Sequence, residues 1–203
     1  MDYITPSTIT IAQELLGKKL LINKDNKWIG GYIVETEAYL GPDDQACHSY
    51  NWKRTPKVEA MYQTGGTIYV YTMHGHNMLN IVTKAAGIPE AILIRGLQPV
   101  DEIEIMLTQR GVPGFELTNG PGKLCKAMGI TRELNGLMLD DGKLIIDEHN
   151  SAIPKEIITT ARIGIPNKGE WTNASLRFYV AGNPYVSRLP KKEMKCANET
   201  WKR

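Results

Sequence analysis

Two carboxylates and a phenol occur at every second position of one otherwise apolar stretch. Glu35, Glu37 and Tyr39 follow an apolar run that covers residues 28–34. Side chains at every second position of a β-strand share one face, so this spacing brings all three together. A carboxylate beside a phenol can act as a general base that orients a water molecule. Polar decoration of an exposed sheet face would give the same pattern.

A turn and a histidine follow this predicted strand. The turn covers residues 41–44 and His48 comes shortly after it. The chain could therefore return His48 over the face that carries Glu37, where an imidazole would add a hydrogen-bonding group. Acid, phenol and imidazole also occur together in purely structural networks, so both interpretations stay open.

Tyrosines and histidines cluster around a second predicted turn. Tyr69 and Tyr71 share a strand face, and His74 and His76 follow them. Such tyrosines either stack a nucleobase or simply pack across strands. Two histidines without a cysteine pair are too few for a zinc site, and no phosphate-binding or dinucleotide-binding motif occurs. We therefore expect neither a metal nor a cofactor.

A third segment, residues 119–125, predicts a helix start with Pro121 in its first turn. Free N–H groups at a helix start can bind an anion, and Lys123 adds a positive charge nearby. Simple capping of the helix is the competing interpretation.

Composition and charge limit the class of protein. The 203 residues are 42% hydrophobic and 23% charged, as expected of a folded domain. No apolar run is long enough to cross a membrane and the N-terminus does not resemble a signal peptide, so we expect a cytoplasmic protein without a membrane partner. Its three cysteines are too few for a disulfide framework, which favours reduced thiols.

The charges are unevenly distributed along the chain. Residues 1–152 contain 14 Lys and Arg against 18 Asp and Glu, whereas residues 153–203 contain 10 against 4. We expect a basic C-terminal tail over residues 188–203, whose order the sequence leaves open. Such a segment permits a polyanionic partner, although a solvated tail would have the same composition.

Periodicity predicts the elements that hold these residues. We expect helices within 6–17, 100–110 and 122–128, and a β-hairpin over 18–39. Further strands are predicted at 67–73, 78–83, 91–97, 137–139, 143–147 and 176–180. No repeat or flexible linker interrupts them, which favours one α+β domain over residues 1–203 with a mostly antiparallel sheet.

Together these segments resemble the alkyladenine (3-methyladenine) DNA glycosylases, which excise alkylated and deaminated purines. The matching segments keep the family's order and spacing over residues 34–42, 46–49, 55–56, 66–71, 80, 93–95, 120–125, 161–164 and 176–180. The resemblance implies a curved sheet flanked by helices, like the C-terminal domain of formyltransferases. It also implies base-excision repair by a cofactor-free monomer, which acts on damaged purines in double-stranded DNA and is nucleoid-associated through DNA binding.

The resemblance also implies the catalytic residues. Glu37 falls on the family's general base, which deprotonates the attacking water. Arg95 falls on the residue that helps to hold this water and a nearby phosphate. Because water rather than an amine attacks, we expect a monofunctional enzyme that leaves an abasic site without cutting the strand. The implied substrates are 3-methyladenine, 7-methylguanine, hypoxanthine and ethenoadenine.

By the same resemblance, four residues form the pocket for the flipped base. Tyr39 and Tyr71 stack on the base, His48 hydrogen-bonds to it, and the amide of Asn80 excludes guanine.

Other residues are implied to contact DNA. Thr55, Met61 and Lys123 fall in DNA-contacting segments. His74 occupies the position of the tyrosine wedge that enters the minor groove in the vertebrate enzyme. The histidine is smaller than a tyrosine, and its turn is one residue shorter than in the vertebrate enzyme.

Two other interpretations remain open. One is a non-catalytic binder of damaged nucleic acid that has kept the pocket. The other is a formyltransferase-like domain that binds RNA or small molecules, which only shared architecture would support.

Overall fold

The computed structural model describes residues 1–202, so Arg203 of the predicted tail lies outside the described residues. The strands are β1 Lys19–Lys24, β2 Lys27–Tyr39, β3 Ile68–Met73, β4 His76–Thr83, β5 Glu90–Asp101, β6 Leu144–Asp147, β7 Ile157–Thr160 and β8 Arg177–Val180. The α-helices are α1 Thr8–Glu14, α2 Ile103–Arg110 and α3 Pro121–Met128.

One antiparallel sheet contains all eight of these strands. Its main order is β3-β4-β5-β2-β1-β6, and β8 joins β2 to β7. The long strand β2 pairs with β5 on one side, and with β1 and then β8 on the other. The predicted α+β domain with a mostly antiparallel, curved sheet is confirmed.

The two faces of the sheet have different surroundings. One face forms the apolar core, in which Val70, Leu79 and Ile92 are fully buried. Helices α1 and α3 cover it, and the Thr36 hydroxyl donates a hydrogen bond to the Ala12 carbonyl of α1 at 2.8 Å. The opposite face carries polar side chains and is covered by the segment 40–63, which contains only single helical turns. This second face holds the candidate site.

Two of the predicted elements differ in the structure, and one observed strand was not predicted. The predicted strand at 137–139 forms only one isolated bridge, between Thr67 and Met138. The predicted helix at 100–110 begins at Ile103, because strand β5 continues to Asp101. Strand β7 was not predicted, since it is a four-residue strand at the edge of the sheet whose pairing to β8 is set by tertiary contacts.

The basic C-terminal segment packs on the domain. Trp201 is buried, with its ring centroid 5.5 Å from that of Tyr32, and its indole N–H donates to Gln98 at 3.0 Å. The basic side chains of this segment are exposed: Arg188, Lys191, Lys192, Lys195 and Lys202. Among the described residues, none of the helices has the length and hydropathy required to span a membrane.

Candidate active site

Strand register places the site residues in rows across the polar face. Tyr69 pairs with Asn80, Asn80 with Leu93, and Leu93 with Glu37, which gives one row across four strands. Directly opposed residues in antiparallel strands share a face. Tyr39 belongs to the same face of β2 as Glu37. A cavity of about 140 Å³ lies over this polar face. The residues that line it include Tyr39, His48, Tyr71, Asn80, Arg95 and Ile163.

The Glu37 carboxylate lies fully buried behind the cavity wall. It accepts hydrogen bonds from the backbone N–H of Ile163 at 2.7 Å, from the Tyr39 hydroxyl at 2.9 Å and from the Arg95 guanidinium at 3.3 Å. All three donors belong to residues that line the cavity. The carboxylate is therefore fixed in orientation, and each of its three hydrogen-bonding partners also reaches the cavity.

Compensating β-bulges aim Arg95 at Glu37. Between the pairs Ile33–Leu97 and Thr36–Ile94, the register shifts twice, so that Val34 on β2 and Arg95 on β5 have no ladder partner. A bulge redirects a side chain and is frequent beside active sites. Gly96, next to Arg95, permits the close approach of another segment, because a Cβ there would lie 2.7 Å from the backbone oxygen of Tyr185. This glycine within a predicted strand was the available sequence sign of a bulge.

A second buried carboxylate, Glu35, holds the other side of Arg95. Glu35 accepts from the Nε atoms of Arg95 at 3.2 Å and Arg177 at 2.6 Å. It also accepts from the backbone N–H and the hydroxyl of Ser187, at 2.7 Å and 2.8 Å. Two acidic and two basic side chains thus balance in charge, and Arg95 bridges both carboxylates.

Burial changes the acidity of the central groups. Removal from water raises the pKa of Glu37 above its ordinary 4.5, while the positive charge of Arg95 acts in the opposite direction. Burial, together with the adjacent Glu37, also raises the pKa of Tyr39 well above 10.0. Tyr39 is therefore a neutral phenol that donates to Glu37, and an elevated carboxylate pKa suits a general base.

The ion pair of Arg162 and Asp44 joins two loops at the cavity. Both side chains are buried, and Arg162 Nη2 donates to Asp44 Oδ1 at 2.9 Å. Arg162 also donates to the Ala38 carbonyl at 3.0 Å and lies 4.7 Å from the Tyr39 ring centroid. The next residue is Ile163, which donates to Glu37. Sequence reasoning placed Arg162 in a matching segment but assigned it no role.

His48 lies at the mouth of the cavity, with one side exposed to solvent. Its Nδ1 is 2.9 Å from the Tyr69 hydroxyl, and its ring meets that of Tyr71 edge-on at 4.5 Å between centroids. Burial of its other side lowers the pKa of His48 below its ordinary 6.5, and the positive charge of nearby Lys53 lowers it further. The Tyr69 bond fixes the ring and directs Nε2 away from Tyr69. Burial raises the pKa of Tyr71 to about 12, so this phenol is neutral.

The Asn80 amide is fixed by the backbone. Its Nδ2 donates to the carbonyls of Tyr69 at 3.1 Å and Met78 at 3.2 Å, and the residue is buried in the cavity wall. A fixed amide presents one constant hydrogen-bonding pattern to the cavity.

A wider groove of about 680 Å³ opens outside the cavity. Groove and cavity share the residues Ala46, Cys47, His48, Tyr69, Tyr71 and Met73. Four cations line the groove, Lys53, Lys57, Arg132 and Lys168, and none of its lining residues is acidic in the described part of the chain. The groove is therefore suited to a polyanion.

The predicted DNA-contacting residues have different locations. Thr55 lines the groove, whereas Met61 is buried in the cavity wall and does not reach the surface. Lys123 lies outside both, where it is paired with Glu116 and donates to Asn119 at 2.8 Å. His74 is exposed at the tip of the β3–β4 hairpin.

The His74 turn has the backbone of a two-residue hairpin loop. His74 and Gly75 both have positive φ, at 50° and 78°. Positive φ at both central positions matches the twist of the flanking strands, and histidine tolerates it better than most side chains. The turn thus holds the imidazole outward. Within residues 1–202, no three His, Cys, Asp or Glu side chains cluster as metal ligands.

Comparisons with known proteins identify relatives of this chain. Residues 2–184 match the family model described as methylpurine-DNA glycosylase. Three similar proteins are each named "Putative 3-methyladenine DNA glycosylase". The one from Staphylococcus saprophyticus is 52% identical and that from Staphylococcus aureus 50%, each match covering 100% of both chains. The one from Staphylococcus epidermidis is 51% identical, covering 100% of this chain and 98% of the relative.

Proposed function

This chain belongs to the methylpurine-DNA glycosylase family, and we propose that Glu37 activates the water with which it removes damaged purines from double-stranded DNA. Family membership makes it a DNA-binding glycosylase of base excision repair, a hydrolase of N-glycosyl bonds. The proposed substrates are 3-methyladenine, 7-methylguanine, hypoxanthine and ethenoadenine. We propose that it acts as a monomer.

The position of Glu37 carries the proposal. Its buried carboxylate meets the cavity through Tyr39, Arg95 and Ile163, at the end of the row that begins with Tyr69. A nucleotide extruded from a duplex that binds along the groove would enter this cavity base first. Its phosphates would stay with the cations of the groove. Its sugar would then lie toward Arg95 and Glu37.

The proposed reaction is a displacement by water. Glu37 accepts a proton from the water, whose oxygen bonds to the anomeric carbon, and the N-glycosidic bond breaks with its electron pair going to the purine. A 7-methylguanine or 3-methyladenine base is already cationic and leaves as a neutral molecule. Hypoxanthine is neutral and must gain a proton to leave as readily.

The proposed pocket holds the extruded base between aromatic rings. Tyr39 and Tyr71 both line the cavity, and stacking of a cationic purine on a tyrosine contributes about 1–2 kcal/mol. His48, fixed by Tyr69, is the proposed hydrogen-bonding partner of the base edge. The fixed amide of Asn80 is proposed to disfavour guanine, whose exocyclic amine would meet a polar group that cannot move away. The 7-methylguanine base carries the same amine, and we propose that its positive charge, which makes it a better leaving group, compensates for this contact.

The surroundings of the cavity support a monofunctional enzyme. No lysine is among the residues that line it in the described part of the chain. A lyase that cuts the strand forms a Schiff base with an amine, for which a lysine is the usual nucleophile. We therefore propose that the product is an intact strand with an abasic site.

An excision assay on duplex oligonucleotides tests this function. Labelled duplexes with one hypoxanthine or one ethenoadenine, and methylated DNA, are incubated with or without the protein and then either treated with hot alkali or left untreated. We expect protein-dependent strand breaks only after hot alkali, because a monofunctional enzyme leaves abasic sites that alkali cleaves and the protein does not. Breaks without alkali would contradict the monofunctional proposal. Binding of all these substrates without excision would instead favour a non-catalytic binder of damaged DNA.

Replacing His74 tests its proposed role as the wedge that fills the space left by the extruded nucleotide. We expect His74→Asn to lower single-turnover excision from a duplex about tenfold more than from a single strand, where no base pair must be opened. Asparagine keeps the left-handed backbone of the turn and removes only the ring. His149→Ala, at an exposed histidine outside groove and cavity, is the matched control. Equal losses on both substrates would dismiss the wedge.

A further inference from the structure

Trp52 is an exposed aromatic residue that nothing in the fold explains. It is 63% exposed, the highest fraction among the large hydrophobic side chains of the described residues. Its ring has no stacking or cation–π partner within residues 1–202. Most of the indole surface is therefore accessible to a binding partner.

The backbone holds Trp52 in an unusual conformation. Asn51 and Trp52 both have positive φ, 56° and 60°, a left-handed conformation that bulky side chains rarely adopt. The neighbouring residues are fixed, since the Tyr62 hydroxyl donates to the Lys53 carbonyl at 3.0 Å. The Lys53 N–H in turn donates to the Tyr50 carbonyl at 3.2 Å. The chain is thus anchored on either side of an outward-pointing indole.

Trp52 stands at the edge of the basic groove. Two nearby residues of the same segment line the groove: Tyr50, two positions before Trp52, and Lys53, directly after it. Met73, next to His74, lines the groove from a different segment and is itself 44% exposed. An aromatic ring beside a row of cations without acidic residues is the combination that binds nucleic acid, with the cations on phosphates and the ring on a base.

We propose that Trp52 is a second DNA-stacking residue, which packs on a base of the duplex beside the extruded nucleotide. It would act together with His74, whose imidazole offers less surface than the indole. This inference rests on the proposed action on duplex DNA, and it assigns base contact to a residue outside the cavity.

Tryptophan fluorescence tests the contact directly. The Glu37→Gln protein, which leaves the substrate intact, is titrated with a duplex that contains one hypoxanthine. We expect DNA to quench the emission, and Trp52→Phe in the same background to remove most of that quenching. Trp28→Phe is the matched control, because Trp28 is 37% exposed at the opposite end of β2 from Tyr39 and lies outside the groove. Unchanged quenching in the Trp52→Phe protein would overturn the proposal.

Excision kinetics test the consequence for the reaction. We expect Trp52→Ala to lower single-turnover excision at subsaturating protein by about fivefold or more on a duplex, since one stacked base contributes at least about that factor. Trp52→Phe should retain most of the rate, because a phenyl ring still stacks. An unchanged rate for Trp52→Ala on the duplex would overturn the proposal. If wild type excises nothing while Trp52 still carries the quenching, the glycosylase proposal fails and the stacking role stands.

Discussion

Replacing Glu37 with glutamine is expected to lower excision by about 10²–10⁴-fold, the usual contribution of a general base. Glutamine keeps the shape of the side chain and an oxygen that can accept from the Ile163 N–H, but it cannot take a proton from water. Binding to a hypoxanthine duplex should stay within about tenfold of wild type. Single-turnover excision and a binding titration measure the two effects, and substantial residual turnover would remove Glu37 from the proposed role.

The raised pKa of Glu37 adds two expectations about pH. Glu37 works as a base only when ionised, so excision of cationic 7-methylguanine should fall as the pH drops through a value above the ordinary 4.5. A carboxyl with a raised pKa in the folded state stabilises the protein below its unfolded pKa, and this contribution is lost as the pH rises through the folded pKa. At pH 7 the ionised, buried Glu37 therefore lowers the stability of the folded protein.

Glutamine at position 37 carries no charge and should remove this destabilisation. We expect the melting temperature of Glu37→Gln to equal or exceed that of wild type at pH 7, and the difference to shrink toward pH 4. A clear loss of stability at pH 7 would show that the hydrogen bonds of the ionised form outweigh the cost of its burial.

The second large effect concerns stability, through the buried ion pair of Arg162 and Asp44. Arg162→Met should destabilise the fold by about 3–5 kcal/mol, because it leaves the Asp44 carboxylate buried without its cation. Excision should fall as well, since Arg162 supports the Tyr39 ring and precedes the Ile163 donor to Glu37. Urea unfolding followed by circular dichroism gives the free energy of unfolding.

The chain offers a matched control in the exposed ion pair of Arg54 and Glu59, whose side chains are 57% and 50% exposed. Arg54→Met should leave the free energy of unfolding close to that of wild type, because solvent screens exposed pairs. Asp44→Asn combined with Arg162→Met should show coupling, since the second substitution then leaves no unpaired charge. A loss for Arg162→Met no larger than that for Arg54→Met would contradict a structural role of the pair.

Local sequence patterns predicted most of the strands and one face of the site. The period-two spacing of Glu35, Glu37 and Tyr39 is sufficient to place them on one face of β2, since side-chain alternation is a property of any extended chain. The predicted return of His48 over that face is also observed, because the turn after β2 is a local feature. The functional roles of these residues remain predictions.

What surrounds Glu37 was decided by the tertiary structure. Its backbone donor, Ile163, is 126 positions away in the chain, and Ser187 is 152 positions from Glu35. The orientation of Arg95 depends on bulges that exist only when β2 and β5 pair in one particular register. Alternation and turn propensity act over a few residues, whereas a buried charge network is set by which distant segments meet. The sequence by itself therefore determined which groups are available on each strand, and only the fold determined which of them surround one carboxylate.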